Sequence, residues 1–571
     1  MIRRAIRIFT AVALMLSSAN LGAQTANKKS TSTAGRDPAG QKLVAHWPLH
    51  VNGKDASKPS SNAAVRGLVF EDGTLPSGTK TVARFNGRDS EIEVRGENTP
   101  RLGSKEFTLS TWLQVDSELD DLPGDVLSQY DAASRRGFHL AVKTNSGVTF
   151  SQANTRQLQF AIDDDQCEAT WTDCGRPGNA LLAFSMAVHN GQLYVGTCEP
   201  GRDETGRVYR YEAPDRWIDC GALDRSNSVT SMVEFNGHLY AGTGKYRVAG
   251  SALPESENTE TGGRVFRYEG GNQWTDCGAL PNCEAVGGMA IYRGRLYASS
   301  LYRPAGFYRF EPPNQWIDCS VPVRPEDLPG EPATMRVEAL GVFNGSLYAT
   351  SYDGGRVFRY DGQSWHDFGQ LGAPMQNTQT YAFAVRQSQL LCGTWPTGRV
   401  YLRDKADRWN DLGRLGEELE VMGMIVHNGR LIAGTLPSAE VYEFRSDGNW
   451  KRLAQLDQTP NVKYRRAWTM AEYGGRLFCS VLPTGRIYSW QAGRIAMSDR
   501  SLDDGWHHVI ASRTKERLEL RVDGELVGTS APFNGVEYNL DSDRPLYVGA
   551  GPNDHFLGRL SDLKIYQSEN H

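Results

Sequence analysis

The residue types most often used in catalysis do not form a recognisable catalytic motif in this sequence. The chain has no HExxH zinc motif, no GxSxG nucleophile turn, no glycine-rich phosphate loop and no CxxC pair. Glu91 and Glu93 alternate on one predicted strand and share a face, but we interpret that strand as structural. His189 and His427 fall in predicted hairpin turns. These observations favour binding over catalysis and leave enzymatic activity as an open alternative.

One motif of roughly 46 residues recurs along the middle of the chain, between Trp171 and Trp490. Its fullest copy reads SMAVHNGQLYVGT, a polar loop, GRVYRY and WIDCGAL, and seven copies can be counted. Pairs such as Asn190-Gly191 supply the positive φ angles of a tight hairpin between the first two strands of a copy. Short alternating strands repeated at this period predict a β-propeller in which each copy is one blade.

The Trp-x-Asp segment provides the fourth strand of each copy and predicts how the ring closes. Such segments begin at Trp171, Trp217, Trp274, Trp316, Trp365, Trp409 and Trp450. Trp171 precedes every first strand, whereas no Trp-x-Asp segment follows the last copy. We therefore predict a seven-bladed ring in which residues 171–175 complete the last blade and remove its free edge.

Two side chains recur at fixed places in the copies. The Trp of the fourth strand is predicted to wedge between neighbouring blades, and a ring of sugar-stacking aromatic residues is the alternative. A Gly-Arg pair opens most third strands, with the arginines Arg207, Arg264, Arg356, Arg399 and Arg486. We favour pairing of these arginines with nearby Asp or Glu residues over the attraction of anionic ligands.

Most of the nine cysteines occupy positions that hold apolar residues in other copies. Cys174, Cys220, Cys277 and Cys319 follow Trp-x-Asp, where other copies have Phe or Leu. Cys392 and Cys479 share their position with Val and Ala. We predict that these six are small core residues. Three cysteines remain for one or two disulfides of unassigned connectivity, namely Cys167, Cys198 and Cys283.

The amino terminus predicts export. Residues 1–23 combine a basic start, an apolar run over residues 8–16 and small residues before Ala23, as in a cleaved signal peptide. Residues 24–41 are rich in Ser, Thr, Lys, Gly and Gln and predict a disordered linker. No later apolar run reaches the roughly 18 residues that span a bilayer. We expect a periplasmic, secreted or cell-surface protein without a membrane span.

Composition argues against a nucleic-acid partner. The 571-residue chain has a formal net charge of −5 and a pI of about 6.2. A chain with this balance offers no general electrostatic attraction to a phosphate backbone.

The segments on either side of the repeats read as alternating strands that complete one another. HWPL, FNGRDSEIEV and FTLSTW precede the repeats, and DGWHHV, LRVDGELV and LGRLSDLKIY follow them. These six segments, in this order, resemble the LamG-like jelly rolls of the concanavalin A-like lectin/glucanase superfamily. The resemblance implies a β-sandwich jelly roll formed by residues 42–165 and 498–568. The repeats interrupt this pattern, so we predict an all-β chain in which a seven-bladed β-propeller (166–497) is inserted into the jelly roll. The repeats themselves resemble kelch-like and WD-like propellers only in general form.

The resemblance to LamG-like domains also implies a structural calcium ion. Many such domains bind Ca²⁺ between the loop after the first strand and the last strand. Asp55 and Asp562 match those positions, and oxygen ligands suit this hard cation.

Long, irregular loops gather on one side of the predicted ring. Loops joining second to third strands and connections between blades emerge on the same side, because strand direction alternates. Ligand contacts usually lie where a regular scaffold carries such loops. Aromatic and cationic residues there form the candidate ligand-binding set: Tyr246, Arg247, Tyr302, Arg303, Arg336, Trp395, Tyr464 and Arg465.

These features predict an exported, non-catalytic binding protein whose partner is a glycan or an extracellular or cell-surface protein. Exposed aromatic rings beside arginines suit stacking on sugars and hydrogen bonding to hydroxyl or carboxylate groups. The alternative is a polysaccharide hydrolase or lyase with its active site at the mouth of the propeller, assembled from scattered loops.

Overall fold

The structure, a computed structural model, describes residues 40–58, 63–116, 121–144, 150–166, 171–322, 334–404, 406–446 and 448–569. The predicted signal peptide, Cys167 and all but the last two residues of the predicted linker lie outside these ranges. The first described strands are β1 (Gln41–Trp47), β2 (Ala64–Arg66), β3 (Val69–Leu75), β4 (Gly78–Asn86), β5 (Glu91–Val94), β6 (Phe107–Gln114), β7 (Gly124–Asp131), β8 (Arg136–Lys143) and β9 (Gln157–Asp164).

The repeats form short strands joined mainly by tight turns. The first half contains β10 (Thr172–Asp173), β11 (Leu182–His189), β12 (Gln192–Cys198), β13 (Arg207–Ala213), β14 (Arg216–Ala222), β15 (Ser228–Phe235), β16 (His238–Gly244), β17 (Arg264–Gly270), β18 (Gln273–Ala279), β19 (Val286–Tyr292), β20 (Arg295–Ser300), β21 (Phe307–Glu311) and β22 (Gln315–Asp318). The second half contains β23 (Leu340–Phe343), β24 (Ser346–Thr350), β25 (Arg356–Tyr360), β26 (Trp365–Gln370), β27 (Gln379–Arg386), β28 (Gln389–Trp395), β29 (Arg399–Arg403), β30 (Trp409–Arg414), β31 (Glu420–His427), β32 (Arg430–Leu436), β33 (Glu440–Ser446), β34 (Asn449–Gln455), β35 (Arg466–Tyr473), β36 (Arg476–Leu482) and β37 (Ile487–Trp490). Asn190 and Gly191 have φ angles of 46° and 65°, as the hairpin prediction requires.

The carboxyl-terminal strands complete a sandwich with the first nine. They are β38 (Arg494–Ser501), β39 (His507–Arg513), β40 (Leu518–Val522), β41 (Glu525–Thr529), β42 (Leu546–Val548) and β43 (Leu557–Ser568). One sheet has the order β3-β4-β43-β6-β39-β40-β41, with β1 also paired to β43. The other has the order β2-β5-β42-β7-β8-β9-β38. Both sheets therefore combine strands from the two ends of the chain.

A single apolar core lies between the two sheets of the sandwich. Trp47, Phe85 and Phe107 from one sheet pack in the same cluster as Phe138 and Phe160 from the other, and all are buried. Phe107 meets Phe138 and Phe160 with ring centroids 5.5 Å and 5.8 Å apart. Alternate residues of each strand face this core, which explains the period-two pattern of the sequence.

The repeats form antiparallel four-stranded meanders, but not seven separate ones. Five sheets have four strands each: β10-β37-β36-β35, β19-β20-β21-β22, β23-β24-β25-β26, β27-β28-β29-β30 and β31-β32-β33-β34. β11 to β18 belong to one eight-stranded sheet, because β12 and β15 are joined at the pair Cys198 and Ser228. The structure thus shows a propeller-like ring with five separate blades, and the predicted count of seven is not supported.

The predicted closing contact is present. Thr172 and Asp173 of β10 pair with Ser489 and Tyr488 of β37, so the segment before the first repeat provides the outer strand of the last blade. Trp171 stacks on Trp490 with ring centroids 6.0 Å apart.

The recurring arginines and tryptophans have structural partners. Each recurring arginine pairs with an aspartate of a Trp-x-Asp segment: Arg207 with Asp219, Arg264 with Asp276, Arg356 with Asp367, Arg399 with Asp411 and Arg486 with Asp173. The indole nitrogen of Trp274 donates to the carbonyl of Cys220 in the preceding repeat at 2.9 Å, and Trp316 does so to Cys277 at 3.1 Å. The predicted ion pairs and wedges between blades are therefore confirmed.

The cysteines of the described residues are all free. Cys174, Cys220, Cys277, Cys392 and Cys479 are buried in apolar clusters, as their repeat positions predicted. Cys198 and Cys283 form no disulfide with a described residue.

The chain leaves and re-enters the sandwich at neighbouring strands. β9 precedes the repeats and β38 follows them, and Arg494 of β38 pairs with Ile162 of β9. The boundary expected at residue 497 falls inside β38, so the sandwich resumes at Arg494. Only two 3-10 helices occur among the described residues, Gly96–Asn98 and Val248–Ser251. None of the described helices is long and apolar enough to cross a membrane.

Candidate binding cavity at the mouth of the propeller

A cavity of about 590 Å³ opens at one end of the ring, where the first strand of each repeat begins. We call this end the mouth. Loops between second and third strands supply Tyr246, Tyr302 and Tyr352, and the starts of β27 and β31 supply Gln379 and Glu420. The complete lining is Phe184, Tyr246, Arg247, Ala249, Gly250, Glu255, Leu301, Tyr302, Arg336, Glu338, Tyr352, Gln379, Tyr381, Trp395, Glu420, Tyr464, Arg466 and Trp468.

The structure brings six of the eight candidate residues into this lining: Tyr246, Arg247, Tyr302, Arg336, Trp395 and Tyr464. Arg303 is not part of it and pairs with Asp353 at 2.9 Å. Arg465 is also outside the lining, and its Nε donates to the carbonyl of Thr459 at 2.7 Å. Successive residues of an extended chain point to opposite faces, so Arg466 reaches the cavity and Arg465 does not.

Aromatic rings form most of the apolar wall. Trp395 and Tyr464 meet edge to face with centroids 6.0 Å apart, and Tyr352 meets Tyr381 in the same way at 5.1 Å. The guanidinium of Arg247 lies over the ring of Tyr302 at 4.4 Å. These contacts hold the rings in fixed orientations at the cavity wall.

The arginines at the rim already have carboxylate partners. Arg247 pairs with Glu284 at 2.8 Å, and Arg336 pairs with Asp353 at 3.1 Å. Their positive charge is therefore largely balanced, and their remaining donors are what they can offer a ligand.

The floor of the cavity differs, because several of its polar atoms have no hydrogen-bond partner among the described residues. Glu338 is 1% exposed, and neither of its carboxyl oxygens is hydrogen-bonded to a residue in the described ranges. Glu420 is 2% exposed, and its Oε1 is also without a partner. Arg466 is buried with its guanidinium 5.0 Å from the ring of Trp468, and its buried Nε has no acceptor.

The environment raises the pKa of both floor carboxyls. Burial is the main cause for Glu338, the charges of Glu420 and Asp353 add to it, and Arg336 opposes it; its pKa lies well above the usual range. Burial also raises the pKa of Glu420 to about 7, although Arg466 opposes the shift. Burial thus favours the protonated form of Glu338, and a pKa of about 7 leaves Glu420 partly ionised near neutral pH.

The sandwich supports this floor from below. Phe150, in the loop between β8 and β9, lies in the same apolar cluster as Phe184 and Trp468, at centroid distances of 6.1 Å and 6.3 Å. The backbone nitrogen of Leu340 in β23 donates to the carbonyl of Phe150 at 3.1 Å. The sandwich thus inserts a side chain beneath the mouth.

Sequence reasoning missed Glu338, Glu420 and the aromatic residues near them, and it selected Arg465 for substitution where its neighbour Arg466 lines the cavity. The available signal was the repeat register: Gln379, Glu420 and Arg466 each begin a mainly apolar first strand. A polar residue repeated at the start of strands that surround a central channel indicates the channel lining. The search for carboxyl pairs close together in sequence could not find residues 82 positions apart, as Glu338 and Glu420 are.

Asp55 and Asp562, the candidate calcium ligands, both contact His46 in the sandwich. Asp55 Oδ1 accepts from the backbone nitrogen of His46 at 2.9 Å and from that of Ser57 at 2.8 Å. Asp562 accepts from His46 Nε2 and from Lys564 Nζ, both at 2.7 Å. Burial favours the neutral form of Asp562, but these two donors lower its pKa overall. Within the described ranges no group of three or more His, Cys, Asp or Glu residues is placed to hold a metal ion.

A family model supports the sandwich part of the fold. The family model of the concanavalin A-like lectin/glucanases superfamily, of the laminin G type, matches residues 448–569. No curated protein matches the chain.

Several solved structures are weakly similar to slightly more than half of the chain. A catalytically inactive virginiamycin B lyase from Staphylococcus aureus with quinupristin is 8% identical, with a TM-score of 0.42, over 56% of this chain and 99% of that one. The WD40 β-propeller domain of Doa1 is 11% identical, with a TM-score of 0.39, over 57% and 97%. Sqt1 from Saccharomyces cerevisiae is 12% identical, with a TM-score of 0.33, over 56% and 98%. Likeness at this level carries no argument about activity. The sheets and the family match together show a concanavalin A-like domain and a propeller-like ring in one chain.

Proposed function

We propose that this chain is an exported protein that binds a glycan in the mouth of its propeller. The observation that carries the proposal is the cavity of about 590 Å³, in which aromatic rings adjoin buried groups without hydrogen-bond partners. Its size is within the range of small-ligand sites. Such a recess suits a sugar or a chain end better than the flatter surface of a protein partner.

The chemistry of the lining matches a sugar. Tyr302 and Trp395 offer ring faces and edges on which the C–H face of a sugar can pack. The carboxyl of Glu338 can accept a hydrogen bond or, when protonated, donate one, and the guanidinium of Arg466 can donate several. Sugar hydroxyl groups both donate and accept hydrogen bonds, so they can pair with either side chain. Because leaving a buried polar group unpaired is costly, a ligand that completes these hydrogen bonds gains affinity.

We also propose that the ring has seven blades, two of which are joined in the eight-stranded sheet. Counting β11–β14 and β15–β18 as two blades gives a seven-membered ring inserted between residues 42–165 and 498–568 of the sandwich. Its support is that the first strands β11, β15, β19, β23, β27, β31 and β35 contact one another in sequence and β35 contacts β11. Export to the periplasm, medium or cell surface rests on residues 1–23, and the length of the mature amino terminus, read by mass spectrometry, tests it.

Calcium binding by Asp55 and Asp562 stays a prediction. Ca²⁺ would have to displace the ammonium of Lys564 from Asp562, because both compete for the same carboxylate. Calorimetric titration of Ca²⁺ into the protein and into Asp562→Ala tests this; a response that the substitution leaves unchanged would rule the site out.

Capture of glycans on an immobilised array tests the binding proposal. Wild-type protein is expected to bind a subset of glycans, and Tyr302→Ala and Trp395→Ala are each expected to weaken that binding by at least about tenfold, as loss of an aromatic anchor commonly costs more than 1 kcal/mol. Arg465→Ala is the matched control, since Arg465 lies beside the cavity residues but outside the lining. Unchanged capture by both aromatic variants would move the site elsewhere, with the sandwich as the next surface to test.

A further inference from the structure

We infer that the mouth also hydrolyses the glycan that it binds, with Glu338 as the general acid and Glu420 as the general base. This inference rests on the proposed function, because it assigns a reaction to the same cavity. It goes further in naming the reacting groups and the kind of glycan.

Glu338 and Glu420 differ from the buried carboxyls of Glu472 and Asp163 in the partners that surround them. Glu472 is fully buried and held by Lys143 at 2.7 Å and His427 at 2.9 Å. Asp163 is fully buried and held by Arg430 at 2.6 Å. Those two buried carboxylates have cationic partners, whereas Glu338 lines the cavity with neither oxygen hydrogen-bonded to a described residue. A buried polar group without a hydrogen-bond partner is costly, and use by a ligand or a reaction explains its presence.

The carboxyls of Glu338 and Glu420 also have different surroundings. Burial holds the pKa of Glu338 well above the usual range. The negative charges of Glu420 and Asp353 add to this shift, and the positive charge of Arg336 opposes it. Burial raises the pKa of Glu420 to about 7, while Arg466 and Tyr381 favour its ionised form. Two buried carboxyls that line one cavity and have different charged neighbours can act as proton donor and proton acceptor.

The reaction then balances without any further reactant than water. Glu338 donates its proton to the glycosidic oxygen as the bond from that oxygen to the anomeric carbon breaks. Glu420 takes a proton from a water molecule whose oxygen forms the new bond to the anomeric carbon. The products are two shorter glycans, and a proton passing from Glu420 to Glu338 through solvent restores both carboxyls.

Arg466 indicates the class of glycan. Its buried Nε has no acceptor among the described residues, the negative charge of Glu420 acts on its guanidinium, and both residues line the cavity. Because burial favours the neutral form of Glu338, Arg466 and the partly ionised Glu420 provide the charge of the floor. A planar guanidinium in this setting suits the carboxylate of a uronic acid, which it can bind through two parallel hydrogen bonds. We therefore assign uronate-containing polysaccharides as the substrate class.

The experiment incubates the full-length protein with polygalacturonate and hyaluronan, and with dextran as a neutral comparison, in heavy-oxygen water. New reducing ends that carry one heavy oxygen from water are expected from a uronate polymer. Glu338→Gln and Glu420→Gln are each expected to reduce the rate at least about 100-fold, the usual contribution of a general acid or base. Glu199→Gln is the control, because Glu199 is also buried with a pKa raised to about 7 but does not line the cavity.

The possible results distinguish glycan binding, hydrolysis and the roles of the two carboxyls. Capture of a uronate polymer by wild-type protein without cleavage overturns hydrolysis and leaves the binding proposal standing. Cleavage that produces unsaturated ends without heavy oxygen shows elimination and overturns the roles given to Glu338 and Glu420. Cleavage by folded Glu338→Gln at the wild-type rate overturns the acid assignment, and absence of both capture and cleavage overturns both proposals.

Discussion

Glu420 shows at the residue scale how a binding cavity can cost stability. Its carboxyl is buried without full hydrogen bonding, so the folded state holds the proton more tightly than the unfolded chain does. The same property that suits the residue for proton transfer therefore opposes folding at higher pH. Removing the charge should separate these two effects.

We expect Glu420→Gln to be more stable than wild type above neutral pH and similar to it near pH 4.5. A pKa raised from 4.5 to about 7 means that the folded state binds the extra proton between these values, so stability falls as pH rises through this window. The full shift corresponds to roughly 3 kcal/mol at high pH. Tm values of both proteins at about pH 5 and about pH 8 measure the effect.

Glu472→Gln serves as the opposite control for that measurement. Burial favours the neutral form of Glu472, but Lys143 and His427 outweigh it and lower its pKa to about 2. Glu472 therefore stabilises the fold at neutral pH, and its loss should lower Tm there. Equal Tm values for Glu420→Gln and wild type at both pH values would contradict the account of Glu420.

At the scale of the element, the Trp-x-Asp-x-Gly unit forms the outer edge of a blade. In the second copy, Asp276 Oδ1 accepts from the backbone nitrogen of Gly278 at 2.8 Å, while Oδ2 pairs with Arg264. Gly278 has a φ of 92°, which a residue with a Cβ rarely adopts. Trp274 fixes the strand to the preceding repeat. The short motif thus combines a turn, a latch to the third strand and a contact between repeats.

We expect the turn to contribute more stability than the ion pair in this unit. Arg264→Ala removes a pair that is about two-fifths exposed and should cost less than about 1 kcal/mol. Asp276→Ala also removes the turn hydrogen bond and should cost roughly 1 kcal/mol more. Asp276→Asn keeps the acceptor for Gly278 and should lie between the two. Thermal unfolding of the three variants gives the order, and an Asn variant as unstable as the Ala variant would refute it.

At the scale of the whole molecule, buried charge joins the propeller to the sandwich. Arg430 of β32 and Asp163 of β9 are both fully buried and 2.6 Å apart. Lys143 of β8 reaches Glu472 of β35 at 2.7 Å. Together with Phe150 beneath the mouth, these contacts make the sandwich a support for the cavity as well as a host for the propeller.

We expect Arg430→Met to destabilise the protein by roughly 3–5 kcal/mol, because it leaves Asp163 buried without its partner. The double variant Arg430→Met with Asp163→Asn should recover part of this loss, since it removes the stranded charge. Arg486→Met, at an exposed pair, is the control and should cost less than about 1 kcal/mol. Failure of the double variant to regain any stability would show that packing, and not charge, dominates this interface. Differential scanning calorimetry measures all three.

The sequence by itself determined the blade elements, the closing strand, the core positions of most cysteines and the side of the ring that carries the cavity. These follow from local spacing, because strand alternation, Asn-Gly turns and a displaced Trp171 segment leave a periodic trace. The joining of two repeats through Cys198 and Ser228 left no such trace, and neither did the choice of Arg466 over Arg465, which depends on which face of one strand meets the channel. Only the tertiary structure brought Glu338, Glu420 and Arg466 to one floor and placed Phe150 below it. Long-range packing decides which polar groups lose water, and no local pattern records that loss.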